Sequence, residues 1–483
     1  MNKDKALSLI TLTIFLYSTF IQTPESCAQV EQTKVYVDPS LYSAQFLGEV
    51  FPVQVKIYWG FNITAFQFKL LFNKTLLQCV STSYGNFFPQ PPRSIQTITV
   101  DNLNGMITAE AQLDSGESPK SGNGILLTIY FNATYGTPYP QPKDSCTFLL
   151  DQVKLYQNWS PTPAIPLIEN GNYQAPWAPP TLQLELNMEK NLYYFEENIT
   201  ITGSLRANGY LVSTALIGIA IYSPTNYLVI SRALQTGVLA PPSESIEILE
   251  VTPCDYMGSP KSTFRKGSLA FFKITTRNKA SESKYTLITI NLFDSRNATL
   301  GVTSLGITLA ANSQIESILS YPIEYEAATG QAWVFANAFT DHVKNGGVPY
   351  CQEKSATFTI TGSSGGGALT NTEITQTTET MSAGYYQLTF MTPYLHPRGT
   401  YTVYVSTKFL GSYALQSGIY NLKILGDVND DGKVGLADLT TVALAYGTKP
   451  GDPKWNPLAD VNGDGQVGLA DLVIVAINYG KTA

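Results

Sequence analysis

Histidine is nearly missing from this chain, with only His342 and His396 in 483 residues. Neither stands in an HExxH spacing or beside a GxSxG elbow, so the familiar zinc-peptidase and serine-hydrolase sites have no base to work with. Charged residues are also scarce, at 14% with a net charge of −7, and no basic run could follow a phosphate backbone, which excludes a nucleic-acid partner. Beyond residue 20 no apolar stretch approaches the roughly 20 residues of a membrane helix, and helical periodicity is lacking over almost the whole length. Cysteine is sparse too, with five in all.

In place of helices, short alternating or β-branched and aromatic runs recur between clusters of Gly, Asn, Pro and Ser, the pattern of a series of β-sandwiches. "MNKDK" leads into an apolar run from Ala6 to Phe20, too short to span a bilayer, with small residues Ser26 and Ala28 at a cleavage site. Residues 1–28 therefore read as a secretory signal, and the mature chain is expected outside the cell or at its surface without a membrane span. Pro24, Glu25 and Ser26 argue against lipid attachment at Cys27. The remaining four cysteines form an even set in an oxidising compartment, expected to pair as Cys79 with Cys146 and Cys254 with Cys351. Six sequons, at Asn62, Asn73, Asn132, Asn158, Asn198 and Asn297, permit N-glycosylation.

The C-terminus carries the sharpest signal. "DVNDDGKVGLAD" at 427–438 returns as "DVNGDGQVGLAD" at 460–471, and the surrounding segments 426–447 and 459–480 agree at 15 of 22 positions. Alternation turns Asp427, Asn429 and Asp431 toward one centre, Gly432 permits the bend, Lys433 offers its carbonyl, and Asp438 closes the far side. The second loop repeats this with Asp460, Asn462, Asp464, the Gln466 carbonyl and Asp471. Oxygen-only, partly charged donors on a flexible loop suit Ca²⁺, so two calcium ions are expected. Eight Asp against four Lys in residues 426–483 leave −4 there, which two such ions would cancel.

Only an outgoing helix follows each loop, "ADLTTVALAYG" and "ADLVIVAINYG", while "IYNLKIL" before the first alternates like a strand. A loop and one helix, duplicated about the linker "TKPGDPKWNPLA", closely resembles a type I dockerin, the calcium-dependent docking module of cellulosomes and related extracellular assemblies. The resemblance implies a cohesin-bearing partner read through the tenth and eleventh loop positions, here Leu436 with Ala437 and Leu469 with Ala470. Those apolar residues depart from the hydroxyls of familiar members, and packing the two helices together is the plainer role open to them.

Upstream, "GEVFPVQVKIYW", "ITAFQFKLLFNKTLLQCVSTSYGNFF" and "SGNGILLTIYFNAT" give residues 33–158 a resemblance to cohesin, the receptor of dockerins, with an unrelated jelly-roll or immunoglobulin-like sandwich as the alternative. Residues 159–180 read as a Pro-rich linker. Four strands in 181–239 stop without closing a sandwich, and the missing strands arrive in 363–425 after a "TGSSGGG" hinge; together they resemble macroglobulin-type immunoglobulin-like domains. Residues 240–362 resemble a complete CARDB-like sandwich, so the preferred architecture is an insertion, with consecutive domains as the alternative.

The fold class is thus mainly β, several sandwiches followed by a small helical calcium module at 426–483. The functional expectation is a secreted, non-catalytic assembly or adhesion protein that docks to a cohesin and can itself receive dockerins, in a polysaccharide-degrading or cell-surface complex. An accessory carbohydrate-binding or glycoside-processing component, with a polysaccharide partner, is the alternative, because exposed aromatics cannot be told from core ones in a sequence.

Overall fold

The computed structural model describes residues 32–237, 243, 245–362 and 383–483. The expected signal segment 1–28 and residues 363–367 of the hinge lie outside the described residues. The chain divides into two compact units, residues up to 137 with 143–177, and residues 138–142 with 178–483.

Unit 1 is a two-layer sandwich. Its strands are β1 (Lys34–Asp38), β2 (Leu41–Ser43), β3 (Val50–Leu71), β4 (Leu77–Tyr84), β5 (Ser94–Asp101), β6 (Met106–Leu113), β7 (Lys120–Ala133), β8 (Ser145–Gln157), β9 (Leu167–Glu169) and β10 (Gly171–Gln174). Strand β3 serves both layers: its first part pairs with β1 and β7, its second with β6 and β8. The layers are therefore β9-β1-β3-β7-β4 and β2-β10-β8-β3-β6-β5. Alternation along β3 buries Phe51, Val53, Val55 and Ile57, then Phe66, Phe68 and Leu70, between them.

The linker expected at 159–180 is corrected here. Residues 167–174 form two strands of this sandwich, β9 parallel to β1 and β10 antiparallel to β8, and Tyr173 is buried against Phe51. The prolines that suggested a linker, Pro161, Pro163, Pro166 and Pro176, all flank these strands, where no ladder N–H is lost.

Unit 2 begins with β11 (Leu182–Leu184), β12 (Asn187–Met188), β13 (Leu192–Tyr194), β14 (Asn198–Ala207), β15 (Tyr210–Leu211), β16 (Leu216–Tyr222) and β17 (Leu228–Gln235). A second sandwich follows: β18 (Ile246–Cys254), β19 (Thr263–Arg265), β20 (Leu269–Asn278), β21 (Lys284–Phe293), β22 (Thr299–Leu309), β23 (Gln314–Pro322), β24 (Gly330–Phe339) and β25 (Lys354–Thr361). It is complete in itself, with sheets β18-β20-β23 and β19-β25-β24-β21-β22 around their own core. Then β26 (Tyr385–Met391), β27 (Gly399–Phe409) and β28 (Ser412–Lys423) pair with β14, β16 and β13, finishing the sandwich begun by β11.

Among the described residues, strand β17 has a ladder partner, β16, on one side only. Its other edge is met by side chains of the inner sandwich instead of a strand. Ala233 N donates to Asn337 Oδ1 at 2.9 Å and Ser231 N to Asn291 Oδ1 at 3.2 Å, while Asn337 Nδ2 and Thr299 Oγ1 return bonds to the Ser231 and Val229 carbonyls at 3.0 and 2.9 Å. Arg232 pairs with Glu353 across the same seam. An edge that would otherwise invite strand addition is thereby closed.

Candidate functional site

After β28 come the two loops and their helices, α1 (Leu436–Ala445) and α2 (Leu469–Ile477). In the first loop Asp427 accepts from the N–H groups of Asp431 (3.1 Å) and Gly432 (2.9 Å), Asn429 Oδ1 accepts from Asp431 N (3.0 Å), and Asn429 Nδ2 donates to Asp431 Oδ2 (3.1 Å). Asp438 reaches back from the first turn of α1 to accept from Val428, Asn429 and Gly435 N–H at 2.8, 3.1 and 2.8 Å. The second loop reproduces the set with Asp460, Asn462, Asp464 and Asp471, down to the Val461, Asn462 and Gly468 donors on Asp471 at 2.8, 3.1 and 2.7 Å. Gly432 and Gly465 hold φ of 92° and 83°, the bend the sixth position requires.

The repeats also interlock. Val434 exchanges backbone bonds with Gly480 and Lys481 beyond α2, and Val467 does so with Gly447 and Thr448 beyond α1, all at 2.8–3.1 Å. Val428, Val434, Val442, Ala445, Val467 and Val475 fill the space between.

Asp438 and Asp471 are fully buried and face backbone N–H groups, with no cationic side chain paired to either among the described residues. Burial raises the Asp427 carboxyl above its ordinary range, with the nearby Asp438 charge adding to this. Among the described residues no three His, Cys, Asp or Glu side chains close on one point; the carboxylates are spread over backbone amides. The donor chemistry still fits a hard cation. Each loop supplies three carboxylates and an amide oxygen with no histidine or cysteine, and among the described residues two buried carboxylates have no cationic side chain beside them.

Leu436 and Leu469 are 70% and 67% exposed and Ala437 and Ala470 are exposed, so they do not pack the helices together. Leu444 and Tyr446, and Val473, Ile477 and Tyr479, are exposed on and after the same two helices, a feature that sequence reasoning missed. The signal was present: with Asp438, Val442 and Ala445 inward, the helical period turns Leu436 and Leu444 out.

A further unforeseen feature is the seat of the first loop on the outer sandwich. Asp430 pairs with Arg398 at 2.6 Å and Lys423 at 3.2 Å, and Lys481 reaches Glu196 at 3.7 Å and the Tyr394 ring at 4.8 Å. The second loop has Gly463 where the first has Asp430.

The four cysteines are free thiols, a correction to both expected bridges. Cys254 ends β18, whereas Cys351 lies against the Ile248 backbone near its start. Those six residues correspond to roughly 20 Å of strand, against the limit of about 7 Å between Cα atoms in a disulfide. Cys79 donates to the Ser81 carbonyl at 3.8 Å and Cys146 lies against the Asn73 backbone; burial pushes the Cys79 and Cys351 thiols up to about 11. His396 is half-buried with its ring on the Thr299 carbonyl at 3.0 Å, and desolvation holds its imidazole down to about 4. His342 Nδ1 lies 3.4 Å from the Tyr222 hydroxyl. In unit 1 a trough of about 440 Å³ opens on the β8-β3-β6-β5 face, lined by Gln67, Ile95, Thr97, Glu110, Gln112 and Trp159 among others. Among the described residues no helix is long and apolar enough to cross a membrane.

Comparison with known proteins finds relatives for parts of the chain. No curated protein matches it. Among solved structures it is similar to a non-cellulosomal cohesin from the hyperthermophilic archaeon Archaeoglobus fulgidus, at 19% identity over 30% of this chain and 91% of that one, with a TM-score of 0.25. A type I cohesin–dockerin complex from Clostridium thermocellum gives 12%, 30%, 94% and 0.27 for the same quantities, and the seventh ScaB type I cohesin from Pseudobacteroides cellulosolvens 16%, 31%, 95% and 0.25. Residues 425–478 match the family profile of the dockerin type I domain. The stretch that matches is the stretch that folds into the twin loops, and the C-terminal module of this chain is a dockerin type I domain.

Proposed function

We propose that this is a secreted, non-catalytic assembly protein, held on a cohesin-bearing partner by its calcium-loaded C-terminal module at the cell surface or beyond it. Asp427, Asn429, Asp431, the Lys433 carbonyl and Asp438 hold one Ca²⁺, and Asp460, Asn462, Asp464, the Gln466 carbonyl and Asp471 the other. The ions neutralise the carboxylates and fix each loop against its helix, so that Leu436, Ala437, Leu469 and Ala470 are presented to the partner. The observation that carries this reading is the matched pair of exposed leucines at equivalent positions of two interlocked repeats. Soluble proteins seldom expose such pairs unless a partner covers them.

Unit 1 is the receiving module in this reading, taking dockerins of other secreted proteins on the open face around its trough. That assignment is supported by its sequence resemblance to cohesin and by a face that mixes Ile95 and Trp159 with neutral amides. The two ends then serve different partners, and the inner and outer sandwiches of unit 2 act as the spacer.

The test is binding of the full chain to immobilised cohesins in calcium and in chelator. Calcium-dependent binding is expected, surviving Leu436→Asp or Leu469→Asp alone and lost when both are changed, because the repeats offer equivalent surfaces. Equal binding in chelator would sink the reading. Sedimentation over a wide concentration range checks the separate-partner arrangement: a constant monomeric mass supports it, and calcium-dependent growth means head-to-tail self-assembly.

A further inference from the structure

Strand β3 passes from one layer of unit 1 to the other at residues 59–62. Trp59 and Asn62 sit there at φ of 57° and 47°, and Asn158 and Trp159 beside them at 49° and 60°. Left-handed backbone is natural for asparagine or glycine and strained for a bulky indole. The crossing explains the turn, therefore, but not the residue that makes it. Nor does burial offset the strain, since Trp59, Trp159 and Phe61 are 51%, 42% and 59% exposed.

The backbone is nevertheless held firmly. Thr33 Oγ1 donates to Trp59 O at 2.7 Å, Trp59 N to Asn123 Oδ1 at 2.8 Å, Gln157 Nε2 to Phe61 O at 3.0 Å, and Asn158 N to Asn62 O at 3.0 Å. Exposed rings on a fixed, strained frame are preorganised for something outside the fold.

The surrounding chemistry narrows what that is. Residues 57–64, 121–125 and 155–165 contain no Asp, Glu, Lys or Arg. Lys34, which reaches the Tyr58 ring, is paired with Glu169 at 3.0 Å, and Lys120, set opposite Ile63, lies 3.9 Å from Glu117. What the corner offers is aromatic faces bordered by the amides and hydroxyls of Asn62, Ser121, Asn123, Gln157 and Asn158. Sugar rings match this: their C–H faces lie on indoles and their hydroxyls bond to amides, with no charge needing a counterpart.

We propose that this corner is a binding site for a neutral polysaccharide chain, with Trp59 and Trp159 as its platforms and Phe61 beside them. The site is independent of the C-terminal module and its cohesin partner, while Trp159 also borders the trough face.

The strain supplies a clean test. Glycine tolerates both left-handed positions, so Trp59→Gly and Trp159→Gly remove the platforms without straining the backbone. Full-length protein and both variants are titrated with cellohexaose, laminarihexaose and mannohexaose, followed by calorimetry and tryptophan fluorescence. Binding of at least one hexasaccharide is expected, weakened about tenfold by each substitution, with the thermal midpoint unchanged or raised and calcium-dependent cohesin binding unaffected. No binding of any of the three, or unchanged binding in the double variant, would overturn the proposal. So would a lowered midpoint in both variants, which would make the indoles packing residues. Mass spectrometry of the natively secreted protein showing glycans on Asn62 or Asn158 would overturn it too, since those sugars would already cover the rings.

Discussion

Removing Glu353 while keeping Arg232 should uncouple the inner sandwich of unit 2 from the outer one. Arg232 on β17 donates through Nε and Nη2 to both oxygens of Glu353, at 2.8 and 2.6 Å, and one of these oxygens also accepts Ala233 N at 3.3 Å. Both side chains are largely buried, at 9% and 16% exposure, and the guanidinium lies 3.5 Å from the centre of the Phe335 ring. Glu353→Ala therefore strands a cation in the seam, which costs about 3–5 kcal/mol where no relief exists. Stacking on Phe335 retains part of the stabilisation, so the lower end, about 3 kcal/mol, is expected. Arg232→Met combined with Glu353→Leu removes both charges and keeps the volume, and should fall within about 1 kcal/mol of the parent. Urea unfolding followed by fluorescence measures this, and the transition of unit 1 serves as a control that should not shift. A loss below about 1 kcal/mol for Glu353→Ala, as exposed pairs show, would refute the reasoning. So would a double variant as unstable as the single one.

Chelation, or Asp431→Ala with Asp464→Ala, should abolish the helical circular-dichroism signal of the C-terminal module, since each ion supplies about 2.7 kcal/mol at about a hundred times its dissociation constant; full helicity in chelator would contradict this. Arg398→Ala should cost less than about 1 kcal/mol, its bond to Asp430 being exposed, yet strengthen calcium binding at the first loop a few-fold by removing a positive charge that stands near Asp427 and repels the incoming cation. Calcium titration of that variant against the parent decides it. Stability should fall as the solution is acidified from about 6.5 to about 4, because the unfolded chain protonates His396 at its ordinary value while the folded chain resists down to about 4. That one group gives a slope of about 1.4 kcal/mol per pH unit, present in full above the window, and His396→Gln should flatten it.

The calcium loops were legible from residue types alone because their geometry is local: Asp427 to Asp438 is one turn of chain, and alternation with a glycine at the sixth place dictates which atoms face inward. Strand character was legible for the same reason, a period of two along β3 or β20 requiring no knowledge of the partner. Everything that depended on which distant segments meet was decided by the tertiary structure. Tyr173 looked like linker and is core, because β8 and β2 pair with the strand that carries it. Cys254 and Cys351 share a sandwich, yet strand register puts their thiols at opposite ends of β18. The capping of the β17 edge by Asn291 and Asn337, the seat of Asp430 on Arg398, and the exposure of Trp59 where β3 changes layers all arise from pairings across tens to hundreds of residues. A sequence states the preference of each residue for burial or a turn; which neighbour satisfies that preference is set only when the layers close around a common core and the remaining polar groups must find partners.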